Sequence, residues 1–180
     1  MSLKRNLIVG IVLTAATAVG VVTTVSAPES IDPSSTTDSN NDVCGYQWAY
    51  HDAPELTALF NDSVQALNPD ATGRVDYFGE DCVYPDGTST FGVMETDFHV
   101  QLQVDDLNQE DEFGNWMAQV MESVTNIPRE ELSGRYGFVE FSFVKSDTEQ
   151  ITFRVPIQQY MDEADGKSGA ELFKMFASSP

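Results

Sequence analysis

The chain reads as an α+β protein: a single domain in which an antiparallel β-sheet carries helices on one face. Three observations lead there. In Phe98, Val100, Leu102 and Val104 apolar residues take every second position, while Asp97, His99, Gln101, Gln103 and Asp105 take the others, the alternation of a strand with one wet face. After Leu107 the period changes, and Phe113, Trp116, Met117, Val120, Met121, Val124 and Ile127 form one stripe of an α-helix. Two further alternating runs, Gly137 to Phe143 and Ile151 to Ile157, flank the turn-forming stretch Lys145 to Gln150 and read as a hairpin. A half-buried strand followed by an amphipathic helix requires that the helix lie on the sheet.

The elements follow in order. Residues 1–27 have Lys4 and Arg5 before an uncharged, mostly apolar run from Leu7 to Val25, closed by the small residues Ser26 and Ala27. That pattern is an export signal, and its length leaves open either cleavage or retention as an N-terminal membrane anchor. Residues 28–42, PESIDPSSTTDSNND, cannot bury a core and read as a disordered polar linker. The domain occupies 43–180. Cys44, Tyr46, Trp48 and Tyr50 alternate with small or polar residues as a short first strand or extended segment.

Asp52-Ala53-Pro54-Glu55 carries a helix-start signature with Asp52 as cap, and Leu56, Leu59, Phe60, Val64 and Leu67 give that helix its stripe. Val75 to Tyr84 reads as two short strands or one bent strand. Pro85-Asp86-Gly87 turns it into the long strand, in which the apolar face switches near Gly92 to Met94, as a β-bulge would allow. Asp105, Asp106 and Asn108 are cap candidates for the central helix, and Ser168-Gly169-Ala170-Glu171 reads as a capping box for a terminal helix with Leu172, Phe173 and Phe176 as its apolar side. The expected order after the possible first strand is αβββαββα.

Twenty-nine acidic residues against nine basic ones give a net charge of −20. Repulsion at that charge excludes nucleic acid and disfavours an anionic membrane surface, so the membrane enters only through a retained N-terminal segment. The acids are scattered, which suits solubility, a salty habitat or attraction for basic partners. Cys44 and Cys82 are the only cysteines, and in an exported chain such a pair reads as a disulfide.

Candidate chemistry is sparse. Glu95, Asp97 and His99 share one face of the long strand and are types suited to a divalent metal, although same-face neighbours about 6.6 Å apart converge only if the strand bends; a solvated face is the simpler reading. His51-Asp52 offers an imidazole beside a carboxylate, but Asp52 has the helix to cap. The run EDCVYPDG, Glu80 to Gly87, fails calcium-loop spacing, and Asn61-Asp62-Ser63 is a glycosylation sequon inside a helix. Tyr46, Trp48 and Tyr50, with Trp116, either close the core, the favoured reading, or form an aromatic surface for carbohydrate or peptide. No catalytic residue and no cofactor is called for.

Along CGYQWAYHDAPEL, Cys44 to Leu56, and YFGEDCVYPDGTSTFGVMETDF, Tyr77 to Phe98, the chain resembles a family of uncharacterised bacterial exported proteins. The resemblance implies a bacterial envelope or secreted protein and carries no functional residues. The order of elements is also similar to that of type III secretion chaperones, but those act in the cytoplasm and the export signal argues against that role. The sequence therefore points to an extracytoplasmic, secreted or membrane-anchored domain acting as a non-catalytic binding or interaction module, its partner an unspecified protein or small molecule. A carboxylate- or metal-dependent hydrolase, or a structural part of an envelope assembly, are the alternatives.

Overall fold

Five strands and four helices make up most of the chain that the computed structural model describes, residues 43–177. The export segment and the polar linker lie outside the described residues. The strands are β1 (Gly45–Asp52), β2 (Ala71–Val83), β3 (Ser89–Gln103), β4 (Arg135–Ser146) and β5 (Glu149–Pro156), and they form one sheet in sequence order. The helices are α1 (Pro54–Leu67), α2 (Glu110–Thr125), a short α3 (Ile157–Gln159) continued by a π-helical turn to Ala164, and α4 (Gly169–Ala177).

The α+β class and the helical stripes are as expected, but the sheet is mixed rather than antiparallel. β1–β2, β2–β3 and β4–β5 are antiparallel, whereas β3 and β4 run parallel. The cause is α2: it carries the chain back along the sheet, so β4 starts from the same end as β3, the geometry of a βαβ crossover. The bulge sits where the face switch placed it, since Phe78 pairs with Glu95 and Gly79 with Val93, leaving Met94 as the extra residue on β3.

Val75, Phe98, Val100, Leu102, Val139, Phe141, Phe143 and Val155 line the inner face and meet the helices in one buried core. Phe60 of α1 packs edge-on to Phe98, with ring centroids 5.1 Å apart, and Phe113 of α2 stacks on Phe143 at 4.1 Å. Leu56, Phe60 and Val64 are buried as read, but Leu59 is 61% exposed and Leu67 lies at the margin. The α1 stripe is thus narrower than its apolar residues.

The caps also differ from expectation. Asp52 ends β1 and caps nothing; α1 starts after Ala53 with Pro54 at its first turn. α2 begins after Gln109 with no side-chain cap, while Glu110, Asp111 and Glu112 put negative charge at its positive end. For α4, Asp111 of α2 supplies the carboxylate, its Oδ1 accepting from the Ala170 N–H at 3.2 Å. Gly169, at φ +60°, makes that approach, which a side chain at 169 would obstruct.

Cys44 and Cys82 form the expected disulfide, with Cα atoms 5.2 Å apart. A formed disulfide belongs to an oxidising, extracytoplasmic compartment. Among the described residues no helix is long and apolar enough to cross a membrane.

Candidate functional site

Among the described residues no helix packs against the outer face of the sheet, and cross-strand register sorts its side chains into rows. One row runs Arg74, His99, Glu140, Arg154 across β2 to β5, three basic side chains with one carboxylate among them. Arg74 donates to Asp76, His99 lies between Asp76 Oδ1 at 3.3 Å from Nε2 and Glu140 Oε1 at 3.3 Å from Nδ1, and Arg154 Nε donates to Glu140 Oε2 at 2.9 Å. The Arg154 guanidinium also lies over the Phe138 ring, 4.2 Å from its centroid. Burial works to raise the Glu140 pKa, but hydrogen bonds from Arg154 and His99 outweigh it and hold the carboxyl below the ordinary range. The row borders a shallow concavity of 330 Å³ whose charged groups are paired with one another.

The adjacent row is Asp52, Asp76, Asp97 on β1, β2 and β3. Asp97 was read as part of a solvated face, yet it is 1% exposed. The reason is a second bulge. Thr96 pairs with Tyr136 and Phe98 with Val139, so Gly137 and Phe138 together oppose Asp97. Asp97 Oδ1 accepts the Phe138 N–H at 3.3 Å, and the carboxylate presses so close to Gly137 that a Cβ there would lie 1.8 Å from it. Burial raises the Asp97 carboxyl to about 6, with Asp76 and Glu95 adding repulsion, against the lowering effect of the Phe138 N–H. Asp97 therefore closes a backbone irregularity.

Glu95 stands one row farther on and accepts from Arg135 Nη2 at 3.3 Å. Glu95, Asp97 and His99 do share a face, but their polar atoms turn to different partners: an arginine, a bulge amide and two flanking carboxylates. Among the described residues no three His, Cys, Asp or Glu side chains are grouped to hold a metal.

The aromatic candidates separate. Trp116 is a core residue at 8% exposure, whereas Tyr46, Trp48 and Tyr50 are 72%, 62% and 60% exposed. The favoured core reading fails for these three because they stand on the outer face of an edge strand, seven of whose eight residues are exposed. Phe78, which the sequence reading passed over, completes the group on β2: Trp48 stacks on it at 5.4 Å and 20°, and Tyr50 meets it at 5.1 Å. In register, Tyr50 faces Phe78, Trp48 faces Glu80 and Tyr46 faces Cys82, so aromatics and carboxylates are interleaved on one face. The disulfide pins the start of this strand.

On the opposite face of the same arm, His51 stacks on Phe91 at 3.9 Å and reaches Asp81 at 3.2 Å, so its partner is Asp81 rather than Asp52. The Asp86 turn bonds Thr88, as a turn does. Asn61 Oδ1 accepts the Gly73 N–H at 2.9 Å, which occupies the sequon side chain in tying α1 to β2.

The residues missed by sequence reasoning, Arg74, Asp76, Phe78, Glu80, Glu140 and Arg154, alternate with inner-face residues along their strands, and that alternation is the signal they left. No family model, curated protein or solved structure matches the chain.

Proposed function

We propose that the chain is a non-catalytic binding module of the extracytoplasmic space, and that its contact surface is the aromatic strip of Tyr46, Trp48 and Tyr50, backed by Phe78. One observation carries the reading: three large aromatics of one strand lie 60% to 72% exposed on a single face. Water gains nothing from such a surface, and contiguous exposed aromatic area rimmed by polar groups is the common mark of an interaction site. The rigid backing supports it, because a strand tied by a disulfide and an eight-residue ladder loses little conformational entropy on binding. The ion-paired row from Arg74 to Arg154 supplies a stiff floor rather than reacting groups.

A hydrolase reading draws on Asp97, whose carboxyl is raised to about 6 beside Asp76 and His99. A general acid must reach its substrate, and Asp97 is covered and bonded to Phe138.

The test uses Tyr46→Ser, Trp48→Ser and Tyr50→Ser together. These exposed positions should alter stability by about 1 kcal/mol or less each. Parent and variant are compared on glycan and peptide arrays; binding by the parent that the variant loses, with an unchanged unfolding transition, is the expected result. Equal binding by both would remove the strip from the account.

A further inference from the structure

We infer that the ligand of this surface is a basic polypeptide segment that adds to the free edge of β1 as a sixth, extended strand. The inference rests on the binding-module reading and specifies its partner and mode.

The edge is open. β1 is the terminal strand of the sheet, paired on one side with β2, and among the described residues no backbone group bonds to its other side. In an antiparallel ladder every second residue turns its N–H and C=O to the same edge, so the eight residues of β1 leave about four unpaired donor and acceptor sets over roughly 26 Å.

The edge is also undefended. Proteins blunt exposed edges with lysine, proline, bulges or a covering element. The β1 sequence GYQWAYHD has no lysine, arginine or proline, and the three register shifts of the sheet lie in other strand pairs. The opposite edge differs: β5 carries Arg154, ends at Pro156, and has its inner Phe153 covered by Phe173 of α4 at 5.6 Å. An unpaired, aromatic edge held in register by a disulfide is the form that strand addition requires.

The chemistry of the outer face selects the segment. Alternate side chains of an added strand fall about 5 Å from Tyr46, Trp48 and Tyr50 on the same face. Glu80 of β2 and Asp52 of β1 flank the aromatics, and neither has a cationic partner among the described residues, whereas Asp76 is buried and paired with Arg74 and His99. Lysine or arginine placed there gains both the ring faces and the carboxylates. The whole-chain charge of −20 adds long-range attraction for a basic segment and opposes pairing of β1 with a second copy of itself.

The test titrates the full chain with a blocked ten-residue peptide of alternating lysine and threonine, followed by titration calorimetry. Two further peptides carry N-methyl groups on alternate residues, one set on each strand edge; a fourth replaces lysine by glutamate. The expected result is saturable binding, weakened about tenfold or more by raising salt from low to physiological strength. One N-methylated peptide should lose at least about tenfold, as removal of several backbone bonds requires, and the other should bind within about threefold of the parent. Glutamate peptide should not bind. Equal binding of both N-methylated peptides would overturn strand addition, and equal binding of the acidic peptide would overturn the basic partner. A neutral oligosaccharide that binds through Trp48 where no peptide does, or a dimer joined at β1, would overturn the inference as well; the first of these leaves the binding-module reading standing. Failure of every ligand, with Trp48→Ser indistinguishable from the parent, would remove both.

Discussion

Replacing Asp97 by asparagine should stabilise the protein at neutral pH, although it removes a charge from a hydrogen-bonded position. The asparagine carbonyl keeps the shape of the carboxylate and can still accept the Phe138 N–H. What it removes is the ionisation of a group that is 1% exposed and stands beside Asp76. Burial pushes the folded-state carboxyl up to about 6 from its ordinary 3.8. Below both values the folded and unfolded chains each hold the proton, and Asp97 costs nothing. As pH rises from about 4 to about 6 the unfolded chain releases its proton while the folded one retains it, so stability falls; above about 6 the loss is complete. At 1.36 kcal/mol for each unit of separation the full loss is about 3 kcal/mol.

Urea unfolding of parent and Asp97→Asn from about pH 4 to about pH 8, at fixed ionic strength, gives the difference directly. Taking the difference cancels Glu140, whose carboxyl is held low and whose contribution changes in the opposite sense as acid is added. The two proteins should be nearly equally stable at the acid end, and the variant should be ahead by about 3 kcal/mol at the other. A flat difference across this range, or a variant weaker throughout, would refute the account of Asp97 as a buried carboxylate closing a bulge.

Other perturbations read other parts of the structure. Gly137→Ala should cost more than about 2 kcal/mol in the same assay, because its Cβ would fall 1.8 Å from Asp97 Oδ1 and 2.8 Å from Thr96 O. Combining it with Asp97→Ala should recover part of the loss, which a double-mutant cycle measures. Replacing Cys44 and Cys82 by alanine opens a loop whose ends are 38 residues apart and should cost about 3 to 4 kcal/mol in the chain-entropy model. Hydrogen exchange should show the faster opening concentrated in β1, with amides of β4 little changed beyond the global effect.

Much of this architecture was legible because strand and helix have different periods. The stretch from Phe98 to Val124 placed one strand and one helix correctly, and the change of apolar face near Gly92 to Met94 located a bulge before any pairing was known. Period alone assigns a residue to a face; it does not choose a strand's neighbour or its direction. The parallel pairing of β3 with β4 was therefore invisible, although a strand, a helix and a strand in succession are also the parts of a crossover unit.

Asp97 shows the same limit. Its alternation put it on the outer face correctly, but its burial depends on Gly137 and Phe138, some forty positions away, meeting it across a register shift. For Tyr46, Trp48 and Tyr50 the pattern of aromatics alternating with small or polar residues is equally that of a core strand. Their exposure follows from their place on the outer face of an edge strand, which no local pattern records. The disulfide was readable from composition, because two cysteines leave one pairing.

The central claim is that the chain meets its partner along β1. It is tested most directly by hydrogen exchange of the full chain with and without the lysine-threonine peptide, read amide by amide. The account predicts slower exchange confined to Gly45–Asp52, on alternate residues, with the groove between α1 and the end of α2, lined by Leu56, Ser63, Ser123 and Ile127, and the concavity beside His99 unchanged. Protection at Thr72, His99 and Ser142 with β1 unaffected would place binding in the ion-paired concavity and contradict it.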